Sequence, residues 1–351
     1  MNNLYKEDSF CQKGTLKQLQ NLLQRHKVPK EVKKDFRAVN DFIQLLIDSH
    51  IIGAALEFFE MDSLESQPRK NKFPSTLGKP DKLKYIRRTI GKFVDKYVLN
   101  FEAESSSLLS STDTEHQQQP NDCDTQLINI ADDGVFNYAC RLLSYGLLSR
   151  NFQDATDNGD GKRTCRLWKF LMLHFKTNGR TKYALEAFNL IAQINALLSP
   201  QLAHQLMWNR TCNTKGGQGK NKELDLHNEH INRVFKDDIN TFRSNLTEHS
   251  IARSGHAIGP IMKIIEHFDN ILDIKQESGH HEMPSLEEDF NLVLNELRRE
   301  KVFTKVPGRQ HTSFPDIQSD PFKSLKKEPH KLQQYLKKRI SALDQAMVSQ
   351  K

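Results

Sequence analysis

The stretch "DFRAVNDFIQLLIDSHIIGAALEFFEM" repeats apolar residues at Phe36, Val39, Ile43, Leu46, Ile47, Ile51, Ala54, Ala55 and Phe58. That spacing keeps returning to one side of a 3.6-residue helix turn after turn, and no strand of period two can bury it. Runs of alternating β-branched residues are nearly absent elsewhere, so the expectation is a mainly α, irregular multi-helix chain with a disordered internal linker and a basic C-terminal tail. His50 falls among the apolar positions and reads as a core histidine with its hydrogen bonds satisfied.

Further helices follow from the same periodicity. Thr15–Arg25 places Leu16, Leu19, Leu22 and Leu23 together behind Thr15 as N-cap. Lys82–Val98 is a basic amphipathic helix carrying Ile86, Ile90, Phe93, Val94 and Tyr97. Helices are expected around "VFNYACRLLSYGLLSR", through "RTCRLWKFLMLHF" with Trp168 and Phe170 in its core, and over "TKYALEAFNLIAQINALLSP" up to Pro200. Leu224–Phe242, Ile258–Ile274 and Leu286–Glu300 complete the set, with a last basic helix carrying Leu332, Leu336, Ile340, Leu343 and Met347 after an irregular "VPGRQHTSFPDIQSDPF".

Composition punctuates the chain. Glu102–Gln126 loses large apolar residues and gains Ser, Gln and acids, the composition of a linker or inserted loop. The division read from this is 1–101, a helical part with a basic segment at 69–96; 102–128, a disordered linker; 129–275, the main helical body; and 276–351, a basic, partly disordered tail ending in a helix. Cysteines at 11, 123, 140, 165 and 212 form no CxxC pair, which excludes a zinc ribbon and a disulfide scaffold and points to reduced thiols inside the cell. No apolar run of membrane-spanning length and no secretory leader stand out, so no membrane partner is expected, and a nuclear place is favoured over a cytoplasmic one.

The net charge of +7 is unevenly spread. Arg69–Lys96 holds ten Lys/Arg against Asp81 and Asp95, and Lys301 to the end holds eleven against four acids. Cation-rich segments neutralise phosphates and release counterions, which makes DNA or another nucleic acid the expected partner, with Lys82, Lys84, Arg87, Arg88 and Lys92 as contacts.

"WNRTCNTKGGQGKNKELDLHNEHINR", Trp208–Arg233, is the densest polar element. Trp208, Asn209, Arg210 and Asn213 precede Gly216, Gly217 and Gly219, whose backbone can approach a phosphate or simply bend. The loop is not a Walker A element, because GxxxxGK[ST] is unmatched. In the helix that follows, Asp225, Glu229 and Asn232 fall at i, i+4 and i+7, so two carboxylates share a face. Such a pair holds a divalent cation such as Mg²⁺, raises one pKa for acid–base work, or is merely a solvated face. His227, His230 and Arg233 add polar groups, but HExxH is absent and zinc is not expected.

With "QKGTL" at 12–16, "HIIGAAL" at 50–56, "GDGKRTCRLWKF" at 159–170 and "RSGHAIGPI" at 253–261, these elements resemble the eukaryotic, transposable-element-associated family catalogued as domain of unknown function 6589, over residues 5 to 275. Longer members carry an acidic portion with a Gly-Asp-Gln element upstream. The resemblance implies a fragment of a transposase-like protein whose partner aspartates lie in that portion. Two-metal phosphodiester cleavage needs several convergent carboxylates, so Asp225 and Glu229 alone do not make a nuclease. Three expectations remain: a nucleic-acid-associated helical protein that is not catalytically competent by itself, a cleaving fragment using those two acids, or a non-catalytic scaffold.

Overall fold

A computed structural model describes residues 4–30, 34–74, 78–100, 132–214, 216–241, 247–273 and 286–320, with isolated positions between 322 and 341. Among the described residues there are ten α-helices and one two-stranded hairpin, so the chain is mainly α. The linker at 102–128 and the apolar positions of the last basic helix, Leu332, Leu336, Ile340, Leu343 and Met347, fall outside the described residues.

The chain divides into two compact units, Met1–Arg150 with Leu173–Thr181 and Ser285–Lys351, and Asn151–Met172 with Lys182–Pro284. This grouping differs from the one composition suggests: the expected body at 129–275 is itself divided, with residues up to Arg150 and Leu173–Thr181 joining the N-terminal part, and the residues after 285 join that part as well.

In the first unit, α1 (Leu16–Leu22) starts where Thr15 Oγ1 accepts from the Gln18 amide, and α2 (Phe36–Phe59) starts where Asp35 Oδ1 accepts from the Ala38 amide. Glu60 then turns left-handed, at φ 51°, and ends α2. The core takes Leu45, Leu46, Ala54 and Phe58 from α2, Tyr97 from α3 (Lys79–Tyr97), and Phe136, Tyr138, Leu142 and Leu143 from α4 (Gly134–Asp157). His50 is buried on α2 as expected, but only its Nδ1 is bonded, to the Leu46 carbonyl. Leu286–Arg299 forms a helix that contributes Val293 and Leu297 against α2. Composition places that helix in a loose tail; its partner lies in the N-terminal part of the chain, at a range that local composition does not report. Gly53 of α2 lets the Phe303 ring approach, since a Cβ there would stand 3.2 Å from it.

The α2 segment is also long and apolar enough to cross a membrane, although Asp41, Gln44 and Asp48 obscure this in the sequence. That corrects the expectation that no such run exists. Just over half of the apolar window is buried within the protein.

Residues 302–317 are irregular yet packed, and Asp133 explains how. Its buried carboxylate accepts from the Val135 and Phe136 amides at the start of α4, from the Val306 amide at 2.8 Å, and from the Arg309 guanidinium at 2.7 Å. The Gly134 amide donates in turn to the Arg309 carbonyl. A buried charge with this many donors is compensated, and the same bonds replace helix or sheet as the organiser of the loop.

The second unit holds the end of α4 and most of α5 (Gly161–Thr177), then α6 (Thr181–Ala192), a π-helical turn (Gln193–Leu197), α7 (Pro200–Trp208), the hairpin, α8 (Leu224–Thr241) and α9 (Glu248–Ile271). Ser199 caps α7 with Pro200 at its first position. α9 begins ahead of the expected Ile258, because Thr247 and Ser250 form a reciprocal capping box, and it runs through Gly255, Gly259 and Pro260. Phe170, expected in the core, is 56% exposed.

Candidate functional site

The Trp208–Arg233 segment folds as a clamp between two helices. α7 ends at Asn209, and Thr211–Cys212 pairs antiparallel with Lys222–Glu223 in the register Thr211 to Glu223 and Cys212 to Lys222. The Leu224 amide donates to the Arg210 carbonyl at 2.9 Å, so α8 starts where the hairpin closes. The glycine-rich stretch, expected to approach a phosphate or simply to bend, is the turn of this hairpin. Gly216, Gly217 and Gly219 have φ of 70°, 83° and 70°. This is the left-handed region, open to glycine without a Cβ clash. Asn213 Nδ2 donates to the Gly217 carbonyl at 2.7 Å and braces the bend.

Two further contacts hold the clamp. Asn221 donates from both its backbone amide and its Nδ2 to the Asp157 carbonyl, at 3.1 and 2.9 Å, beside Gly159, whose φ is 65°. Arg210 lies over the Trp168 ring at 5.9 Å, and the Trp208 ring tilts against His204 at 6.0 Å. The first of these is a cation–π contact. Gly161, at the start of α5, comes so close to the Met207 carbonyl that a Cβ would stand 2.9 Å from its carbon. The Trp-Asn-Arg corner, the glycine bend and the "GDGK" stretch of the sequence are therefore one assembly.

An open groove of about 620 Å³ runs along this corner. Leu198, Leu202, Leu206 and Leu224 give it an apolar side, and Asn209, Arg210, Asp225, Asn228 and Gln205 give it a polar one. Asp225 is thus brought together with Asn209 and Arg210. Glu229 is not. It lies in a separate depression along α8 with Asn232, Arg233, Lys236, Asp237 and Asn240. Glu229 stands one helical turn further along α8, about 6 Å from Asp225, where the lining of the first groove no longer reaches. Asp225, Glu229 and His230 are all exposed.

Mg²⁺ is usually held by one or two carboxylates that converge on it with substrate phosphates. Asp225 and Glu229 share a helix but face different hollows. Among the described residues no three of His, Cys, Asp or Glu cluster together. Cys165, near Arg210, is pushed above the usual thiol range by burial, with Arg210 pulling the other way. Burial thus favours its thiol form over the thiolate.

The cationic residues read from charge lie on α3. Lys84, Arg87, Arg88 and Lys92 are exposed, while Lys82 is half-buried with its ammonium 5.9 Å from the Phe73 ring centre. None of the five makes an ion pair with a described residue. Leu83, Ile86 and Ile90, beside them, are exposed as well. Charge counting missed a second cationic row, Lys162, Arg166 and Lys169 on α5; its signal was the i, i+4, i+7 spacing inside "GKRTCRLWK".

A helical chain with a hairpin-clamped polar groove is the class that fold and site define. The profile of the Family of unknown function (DUF6589) matches residues 1–281, and the chain belongs to that family. No curated protein and no solved structure matches it.

Proposed function

We propose that this protein is a nucleic-acid-associated helical protein of transposable-element origin that works in the nucleus, holds phosphates through α3 and does not cut nucleic acid by itself. The observation that carries the reading is the row Lys84, Arg87, Arg88 and Lys92, exposed on one helix and free of carboxylate partners among the described residues. Surface cations that are already paired have little left to offer a phosphate; these have all of it. The separation of Asp225 from Glu229 into two hollows supports the non-catalytic part. The Trp208–Arg233 segment serves here as the clamp that fixes α7 to α8.

The test is binding of a labelled duplex across a salt series, comparing the full chain with the triple substitution Lys84→Gln, Arg87→Gln, Arg88→Gln. Three phosphate contacts predict a log K against log salt slope shallower by about 3 in the variant, with weaker binding at low salt. Equal affinity and equal slope would overturn the proposal.

A further inference from the structure

The second unit carries a groove that neither the α3 row nor the Trp208–Arg233 clamp uses. It encloses about 380 Å³ between α5 on one side and α6, the π-helical turn and the end of α7 on the other. Lys162, Arg166 and Lys169 line one wall, and Ile191, Ile194 and Met207 line the other. No carboxylate is among the lining residues.

The three cations contrast with their neighbour. Arg163 is paired with Asp154 and Asp160, whereas Lys162, Arg166 and Lys169 are exposed and make no ion pair with any described residue. Their spacing puts them in a row about 10 Å long, roughly the reach of two or three consecutive nucleotides. Phe170 stands one turn beyond Arg166 on the same face and is 56% exposed. It is a large apolar ring with no burial to account for it.

We propose that this groove binds single-stranded nucleic acid. The backbone phosphates lie along Lys162, Arg166 and Lys169, one unpaired base enters against Ile191, Ile194 and Met207, and a neighbouring base stacks on Phe170. An unpaired strand is the occupant that needs all of these parts: a cationic track, an apolar wall and an exposed ring. A duplex keeps its bases stacked inside and would engage only the charges. The inference rests on residues distinct from those of α3, and either can fail without the other.

The test uses the full chain with labelled oligothymidylate across a salt series and unlabelled duplex as competitor. Four proteins are compared: the natural sequence, the triple substitution Lys162→Gln, Arg166→Gln, Lys169→Gln, the single substitution Phe170→Ala, and the α3 triple variant. The groove variant should weaken binding and flatten the salt slope by about 2, at roughly 0.7 per lost contact on a single strand. Phe170→Ala should weaken it about tenfold with an unchanged slope. The α3 variant should leave both differences in place, and duplex should compete poorly. All four positions are exposed, so the fold is expected to persist; should the triple variant lose its helical circular dichroism, Lys162→Gln alone carries the same sign at a third of the slope change. The proposal is overturned if the groove variant binds oligothymidylate like the natural chain, or if Phe170→Ala is silent and duplex competes equally, which would mark a charge patch without base recognition.

Discussion

Gly161→Ala is the most direct test of how the clamp is held. Gly161 is buried at the first position of α5, where Asp160 Oδ1 accepts from the Arg163 amide and sets the helix start. A Cβ there would stand 2.9 Å from the Met207 carbonyl carbon and 3.3 Å from the Trp208 Cα. Both are backbone atoms, so no rotamer change relieves the overlap. The end of α7 must retreat by about 1 Å to restore ordinary contact, and overpacking of this kind costs about 1–3 kcal/mol. Alanine returns some of this through its helix preference, about 0.5–1 kcal/mol at most, which leaves a net loss of about 2 kcal/mol at the upper end of that range. The control is Gly255→Ala in α9, whose Cβ would meet only the Phe235 ring edge, at the ordinary distance of 3.6 Å. It should be neutral or slightly stabilising. Both tryptophans of the chain, Trp168 and Trp208, belong to the second unit, so their fluorescence during urea unfolding reports the right part of the molecule. At a denaturant sensitivity of about 2 kcal/mol per molar, the midpoint should fall by about 1 M in Gly161→Ala and hold or rise in Gly255→Ala. Matching midpoints for the two variants would refute the close approach of α5 to α7.

Two further outcomes follow from buried titratable groups in the first unit. Burial holds His50 at about 4, below its usual 6.5, with Nδ1 on the Leu46 carbonyl at 2.7 Å and Nε2 without a partner among the described residues. The unfolded chain therefore takes up the proton first, stability rises with pH between about 4 and 6.5, and it is lost as pH falls through that window. Proton linkage at His50 alone makes the protein about 2 kcal/mol less stable at pH 5 than at pH 7. His174 and His311, also lowered to about 4 by burial, act in the same direction. Urea midpoints that do not differ between pH 7 and pH 5 would contradict this. Asp133→Asn removes the anion that holds Arg309 and the 302–317 loop. Breaking such a buried pair costs about 3 kcal/mol. Thermal unfolding should show the loss, and a double change with Arg309→Gln should cost less than the two single costs added together; strict additivity would deny the pair its role.

Much of the helical content was legible because its signal is local. The period of Phe36–Phe58, the Thr15 cap and the amphipathic row of α3 each lie within one element, and each helix forms close to where its pattern places it. The start of α9 was misplaced because its apolar run hides a capping box further upstream, at Thr247 and Ser250. The glycine turn was legible as a bend but not as a hairpin, since two residues per strand give no alternation to detect.

The sequence by itself determined that the chain is helical, where its cations concentrate and which short polar stretch stands out, because periodicity, charge and glycine content are properties of neighbouring residues. Only the tertiary structure decided that Asp225 joins Asn209 and Arg210 while Glu229 does not, that residues 286–320 pack with the N-terminal half, and that Lys162, Arg166 and Lys169 front an apolar wall. Each of those depends on which helix lies opposite, and a partner that far along the chain leaves no mark on local composition.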